Sequence, residues 1–166
     1  MNQFIDILNR IRQAADLTWL TPSQQKAREA ILERLKFLDE VNLWGYPGTG
    51  KTFLGWVLQK ERIADYVSEP KAIQPAFTLR AIVVDNAGWK RNEVRDILHR
   101  ARHFGYHQSI LITTEPVQEQ MATVELILTP EDKEWVAVNL RRIRVIPYRD
   151  APETLWDLIS PIDLRL

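Results

Sequence analysis

The sequence predicts an α/β chain: a three-layer sandwich around a mostly parallel sheet, with a helical extension at its N-terminus. Three observations carry this expectation. Apolar runs of strand length alternate with segments of helical periodicity, the pattern of a parallel sheet covered on both faces. The run AIVVD (Ala81–Asp85) is continuously apolar before a terminal acid, as strands buried on both faces are. The stretch NLWGYPGTGKTFL (Asn42–Leu54) sets a glycine-rich turn between a short apolar run and a helical pattern.

Taken in order, Phe4, Ile7, Leu8, Ile11 and Ala15 recur at helical spacing and predict an amphipathic helix over 2–16. Thr21 before Pro22 marks a second helix start, a hydroxyl cap followed by proline where no amide donor is missed. Its apolar stripe is Ala27, Ile31, Leu35 and Leu38. VNLW (41–44) is a short strand and 50–60 a helix. Residues 64–78 read as a short strand and a loop. Leu79–Asp85 is a strand, 92–104 a helix with Val94, Ile97, Leu98 and Ala101 on one face, and SILITT (109–114) another buried strand. Residues 124–128 form a short strand. Thr129-Pro130-Glu131-Asp132 opens a helix to about Leu140, with acids at the positive end of its dipole. RIRVIPY (142–148) is expected as the last core strand and 152–159 as a final short helix. Trp44, Trp56 and Trp135 lie in apolar patterns and are expected in the core, whereas Trp89 is expected at the surface. One structural unit is expected, in which a helical extension, 1–40, precedes a nucleotide-binding domain, 41–166.

Composition narrows the chemistry. The chain has 166 residues, 45% hydrophobic and 27% charged, with formal net charge zero, so no global basic field points to nucleic acid. Without cysteine there is no disulfide, thiol nucleophile or cysteine-ligated metal. His99, His103 and His107 are spaced by four, but Gly105 interrupts their helix and no clustered carboxylates complete a metal site. No stretch approaches the roughly 20 apolar residues of a membrane span, and the N-terminus lacks a secretory pattern. The expectation is a cytoplasmic protein without membrane contact.

The chemistry concentrates at Gly45-Tyr46-Pro47-Gly48-Thr49-Gly50-Lys51-Thr52, an ungapped match to G-x-x-x-x-G-K-[ST]. Such glycines let backbone amides curl around phosphate oxygens at a helix start. Lys51 supplies a charge to the outer phosphates and the Thr52 hydroxyl can ligate Mg2+. Phe53 completes the nucleotide-contacting set. Asp85 at its strand end is placed to hold the same ion, the plain alternative being an acid that caps a turn. Thr113 and Thr114 end the neighbouring strand, where a polar group can touch the attacking water or the outer phosphate, and Glu115, which follows, is expected to face the same crevice; threonine is also simply a good strand former. Arg91, Arg95, His99 and Arg102 make a basic stripe on one helix. A phosphate track for DNA is one reading. A solvated face partly neutralised by Glu93 and Asp96 is the plainer one.

The segments LWGYPGTGKTFL, IVVDNAG and ILITTEP, in this order, resemble those of the AAA+ ATPases, and most of all bacterial helicase loaders and transposition helper ATPases. The resemblance spans roughly 41–147. It implies a P-loop NTPase sandwich that binds ATP with Mg2+ and hydrolyses it, coupled to a protein partner, to self-association or to DNA. ATP over GTP rests on it too. It gives Arg141 and Arg142, before the expected last strand, a role at a neighbouring subunit's nucleotide; the alternative is helix-end cations favoured by the dipole. Three departures stand out. Asn86 replaces an acid that would activate water, so hydrolysis is expected to be slow unless Glu115 substitutes. Too few residues follow RVIP for the small helical lid. The strand at 124–128 and ARHFG (101–105) are closer to the DNA-translocase lineage, kept as an alternative beside a small-molecule kinase.

Overall fold

The computed structural model describes residues 2–147 and 152–159; the side chains of 2–4 and 156 lie outside the described set. Phe4 of the expected stripe and Tyr148 of the expected last strand therefore fall outside it. The elements are α1 (Asn2–Ala14), α2 (Pro22–Leu35), β1 (Glu40–Trp44), α3 (Lys51–Lys60), β2 (Asp65–Val67), β3 (Ala81–Val84), α4 (Arg91–His103), β4 (Gln108–Thr113), β5 (Ala122–Glu125) and α5 (Pro130–Arg142). Short 3-10 turns lie at Leu17–Trp19, Pro70–Ala72 and Trp156–Leu158.

The sheet has five strands in the order β2-β3-β4-β1-β5, every pair parallel. Side chains alternate across a pleated strand, so the inner strands β3 and β4 feed two cores. Val41, Leu43, Val83, Ile110, Ile112 and Val124 pack with α2 and α3 on one face. Ile82, Val84 and Leu111 pack with Val94, Ile97, Leu98 and Ala101 of α4 on the other. This is the expected three-layer α/β sandwich, with an all-parallel sheet.

Local chemistry explains the helix ends. α2 starts with a capping box: the Gln24 amide donates to Thr21 Oγ1 at 3.3 Å, and the Thr21 amide donates to Gln24 Oε1 at 2.9 Å. α3, α4 and α5 stop in the same way, with a left-handed residue at Arg62 (φ 58°), Gly105 (φ 92°) and Arg144 (φ 58°). Beyond each, the next amide reaches back across the last turn, Ile63 to Leu58, Tyr106 to Ala101 and Val145 to Leu140.

That terminator corrects one expectation. Residues 142–147 of RIRVIPY form no strand: Arg142 ends α5, and the amides of Ile143, Arg144 and Val145 are spent on the carbonyls of Leu140 and Arg141. Val145 is buried against Leu140. The short strand expected near 124–128 takes the place beside β1, forming at 122–125. Among the described residues Arg141 and Arg142 thus follow the last core strand instead of preceding it. Other corrections are smaller. Trp135 is 40% exposed on the outer side of α5, and Leu38, beyond the end of α2, is 45% exposed. Trp44 and Trp56 are half-buried, and Trp89 is exposed.

Among the described residues no helix is long and apolar enough to cross a membrane. The basic stripe is neutralised mainly from outside its helix: Glu119 pairs with Arg91 and Arg95, and Glu40 with Arg102.

Candidate functional site

Parallel sheets gather ligand sites at the carboxyl ends of their strands, and β1 runs there into the glycine loop. Gly48 (φ 79°) and Gly50 (φ 90°) hold left-handed backbone that favours glycine. Gly50 caps α3 without any side-chain hydrogen bond, which leaves the first amides of that helix to an anion. Lys51 opens α3 and turns its ammonium inward, donating to the carbonyls of Gly45 (2.5 Å) and Tyr46 (2.9 Å). Burial pushes its pKa down from 10.5 to about 8, while the Asp85 carboxylate pulls the other way. Gly45, Tyr46 and Thr49 therefore brace the lysine and the turn; the Thr49 hydroxyl donates to the Tyr46 carbonyl. Pro47, Gly48, Gly50, Lys51, Thr52 and Phe53 line the cavity itself.

Asp85 is buried at the end of β3, directly across from the loop. Its Oδ2 accepts from the Thr52 hydroxyl and from the Tyr66 phenol, each at 2.7 Å, and its Oδ1 from the Asn86 amide at 2.8 Å. Burial and the neighbouring Asp85 carboxylate push the Tyr66 phenol far above its ordinary range, so it stands as a donor. Asn86 is exposed with φ 48°, and its side-chain amide donates to the Ser68 carbonyl at 2.9 Å. The oxygen pair of Thr52 and Asp85 at the cavity edge is the hard donor set that suits Mg2+.

On the neighbouring strand, the two threonines separate. The Thr113 hydroxyl donates to the Glu115 carbonyl at 2.7 Å and accepts from Asn42 Nδ2 at 2.8 Å. Asn42, fully buried on β1, also donates to the Leu111 carbonyl and accepts from the Val117 amide. Thr113 thus shapes the loop after β4. Thr114 is exposed at the cavity. Glu115 is exposed and does not line it.

The cavity, of about 420 Å³, is lined by the loop and Asp85 together with apolar residues from distant chain segments. Leu8 and Ile11 of α1, Trp19, Val136 and Leu140 of α5, and Leu155 and Ile159 close it. The segment around Leu155 is tied to the loop, its amide donating to the Gly48 carbonyl at 3.0 Å. Gln24 is 1% exposed and donates Nε2 to the Gly50 carbonyl at 2.9 Å. Arg141 and Arg142 are exposed and line none of this cavity; Arg142 donates to Asn139 Oδ1 at 2.9 Å.

Sequence reasoning did not single out Gln24, Asn42 or Tyr66 as members of the site. One signal pointed to Gln24, its place three residues after the Thr21 cap. Asn42 was signalled by a polar residue inside an apolar strand. Nothing local signals Tyr66.

No family model matches the chain, and no curated protein matches it in sequence. Nine chains among solved structures match it in fold. One is AMPPCP-bound DnaA from Aquifex aeolicus, 17% identical with a TM-score of 0.48, the match covering 86% of this chain and 58% of that one. This chain therefore spans little more than half of that structure's length, and the likeness is a coarse one of fold. By its own geometry the chain is a three-layer α/β protein that carries a phosphate-loop sequence at the carboxyl end of an inner strand of a five-stranded parallel sheet.

Proposed function

We propose that this chain binds ATP with Mg2+ between the loop Gly45–Thr52 and Asp85, and acts as a nucleotide switch with slow hydrolysis. The observation that carries this is the juxtaposition of Lys51, the uncapped start of α3 and the Thr52–Asp85 pair in the lining of one 420 Å³ cavity. Its size is that of ordinary nucleotide and cofactor pockets. Phosphates fit the loop, and a base fits against the apolar lining supplied by Leu8 and Trp19. Thr52 and Asp85 would hold the metal ion, which supplies positive charge to the phosphate oxygens.

Calorimetry of ATP with Mg2+ across pH tests the reading. Lys51 titrates near 8 in the free protein, whereas bound phosphate favours its charged form. Below about 8 the lysine is already protonated and affinity should be flat. Above it, binding must take up a proton, so affinity should fall by up to about tenfold per pH unit, with buffer-dependent heats that report the uptake. Without nucleotide the sign is opposite in stability: the cost of the buried ammonium is fully present below about 8 and is relieved as pH rises toward 10.5. No binding at neutral pH would overturn the proposal.

Slow hydrolysis has its own support. Asp85 is the sole carboxylate lining the cavity among the described residues, and its oxygens are already hydrogen-bonded. Asn86 cannot accept a proton, and Glu115 stands outside. Phosphate release by the isolated chain is expected below ~1 s⁻¹, the low end of enzyme turnover. Faster turnover by a verified monomer would refute this. Arg141 and Arg142 do not line their own chain's cavity, so a role for either requires self-association or a protein partner, where an arginine supplied in trans raises rates by about 10³–10⁵ in related chemistry.

A further inference from the structure

We propose that Tyr66 is a positioning residue for a Mg2+ ion held by Thr52 and Asp85. The inference rests on the Mg2+–nucleotide reading above and adds a residue to it that no motif contains.

Asp85 is held from three directions. The Asn86 amide fixes one oxygen; the Thr52 hydroxyl and the Tyr66 phenol share the other. Thr52 is itself a candidate ligand, and the Asn86 contact comes from the backbone. Tyr66 is therefore the side chain whose function at Asp85 is orientation alone. With the Tyr66 and Thr52 hydroxyls on Oδ2 and the Asn86 amide on Oδ1, the carboxylate is fixed and Oδ1 keeps a lone pair for a metal ion or its water. Metal-ligating carboxylates are commonly fixed in this way, and the partner that fixes them sets metal affinity.

The placement of the ring is built into the fold. Tyr66 lies in the middle of β2, an edge strand of three residues that pairs with β3, so its hydroxyl arrives at the same sheet end as Asp85. Its ring lies over Gly55 in the interior of α3. A Cβ there would stand 3.0 Å from two ring carbons. Glycine is unfavourable inside a helix, and at this position it provides the slot for the ring. Trp56 closes the slot edge-on, with centroids 6.4 Å apart.

A purely structural tyrosine would have the same ring contacts, so the test must separate the hydroxyl from the ring. Tyr66→Phe keeps the ring against Gly55 and Trp56 and removes only the hydroxyl. ATP affinity of the full chain is measured with excess Mg2+ and with EDTA, using the fluorescence of the cavity tryptophans or calorimetry. For the unaltered protein, affinity should be higher with Mg2+. For Tyr66→Phe, the EDTA affinity should stay within about twofold, while about tenfold of the Mg2+-dependent gain is lost, the lower end of what outer partners of metal ligands contribute. A full Mg2+-dependent gain in the variant would overturn the proposal, as would an equal loss in both conditions, which marks a structural role. If the unaltered protein binds ATP equally with Mg2+ and EDTA, the metal site and Tyr66 fall while nucleotide binding stands. If it binds in neither condition, the functional reading falls as well.

Discussion

Lys51→Ala is expected to strip the protein of nearly all the thermal stabilisation that ATP with Mg2+ confers. A ligand that binds only the native state, present at a hundred times its Kd, stabilises by about 2.7 kcal/mol. Hydrogen bonds to a charged group contribute about 1.5–3 kcal/mol each, so losing one weakens binding roughly 10- to 150-fold. A hundredfold loss at the same ATP concentration leaves about 0.4 kcal/mol of stabilisation. At about 2–4 °C per kcal/mol for a chain of this size, a shift of roughly 5–11 °C should shrink to about 1–2 °C. The nucleotide-free melting temperature should move much less. The substitution removes a buried ammonium, which favours folding, and deprives the Gly45 and Tyr46 carbonyls of a donor, which opposes it. Differential scanning fluorimetry of both proteins over an ATP titration reads the effect. An undiminished shift in the variant would place the nucleotide elsewhere.

The second large effect is expected for Gly50→Ala, read without any ligand. Gly50 sits at φ 90°, where a side chain costs about 1–2 kcal/mol. An added Cβ would also stand 2.4 Å from Gln24 Nε2 and 2.9 Å from Leu155 Cδ1. Gln24 cannot yield cheaply. It is 1% exposed, its Nε2 holds the Gly50 carbonyl and its Oε1 holds the Thr21 amide, so displacing it breaks the cap of α2. Adding about 1–2 kcal/mol for a disrupted buried hydrogen bond gives a total near 2–4 kcal/mol. Gly105→Ala is the control. Its φ of 92° is nearly the same, but the nearest atom to a new Cβ is the Ala76 Cβ at 3.7 Å, an ordinary contact. Chemical denaturation should therefore place Gly50→Ala below Gly105→Ala by the cost of the clash. Equal destabilisation would mean that Gln24 and Leu155 do not clamp the loop.

The glycine turn before α3, the acid at the end of β3 and the order of most elements were legible because their signals are local. An eight-residue motif has to be contiguous for its amides to surround one anion, and a strand buried on both faces has to be apolar along its length. The misread strand shows where local signals run out. Ile143 and Val145 alternate with Arg142 and Arg144, a pattern that suits a half-buried strand. The same pattern suits a helix terminator that buries the residue after its left-handed turn. The choice lay with the sheet, whose edge at β1 is filled by β5, and with Leu140, whose carbonyl accepts the Val145 amide.

Trp135 was misplaced for a related reason. Apolar periodicity assigns the largest hydrophobes of α5 to the core, yet its buried positions are Asp132, Asn139 and Leu140. Asp132 accepts from Ser23 and Thr129, and Asn139 donates to the Trp19 carbonyl, so partners on other segments turned the helix. The residues that finish the candidate site follow the same rule. Gln24 meets Gly50 across 26 positions, Asn42 meets Thr113 across 71 and Tyr66 meets Asp85 across 19. A sequence records which side chains can donate or accept. Which of them meet, and so which polar groups can be buried without loss, is set when the parallel strands bring their carboxyl ends together.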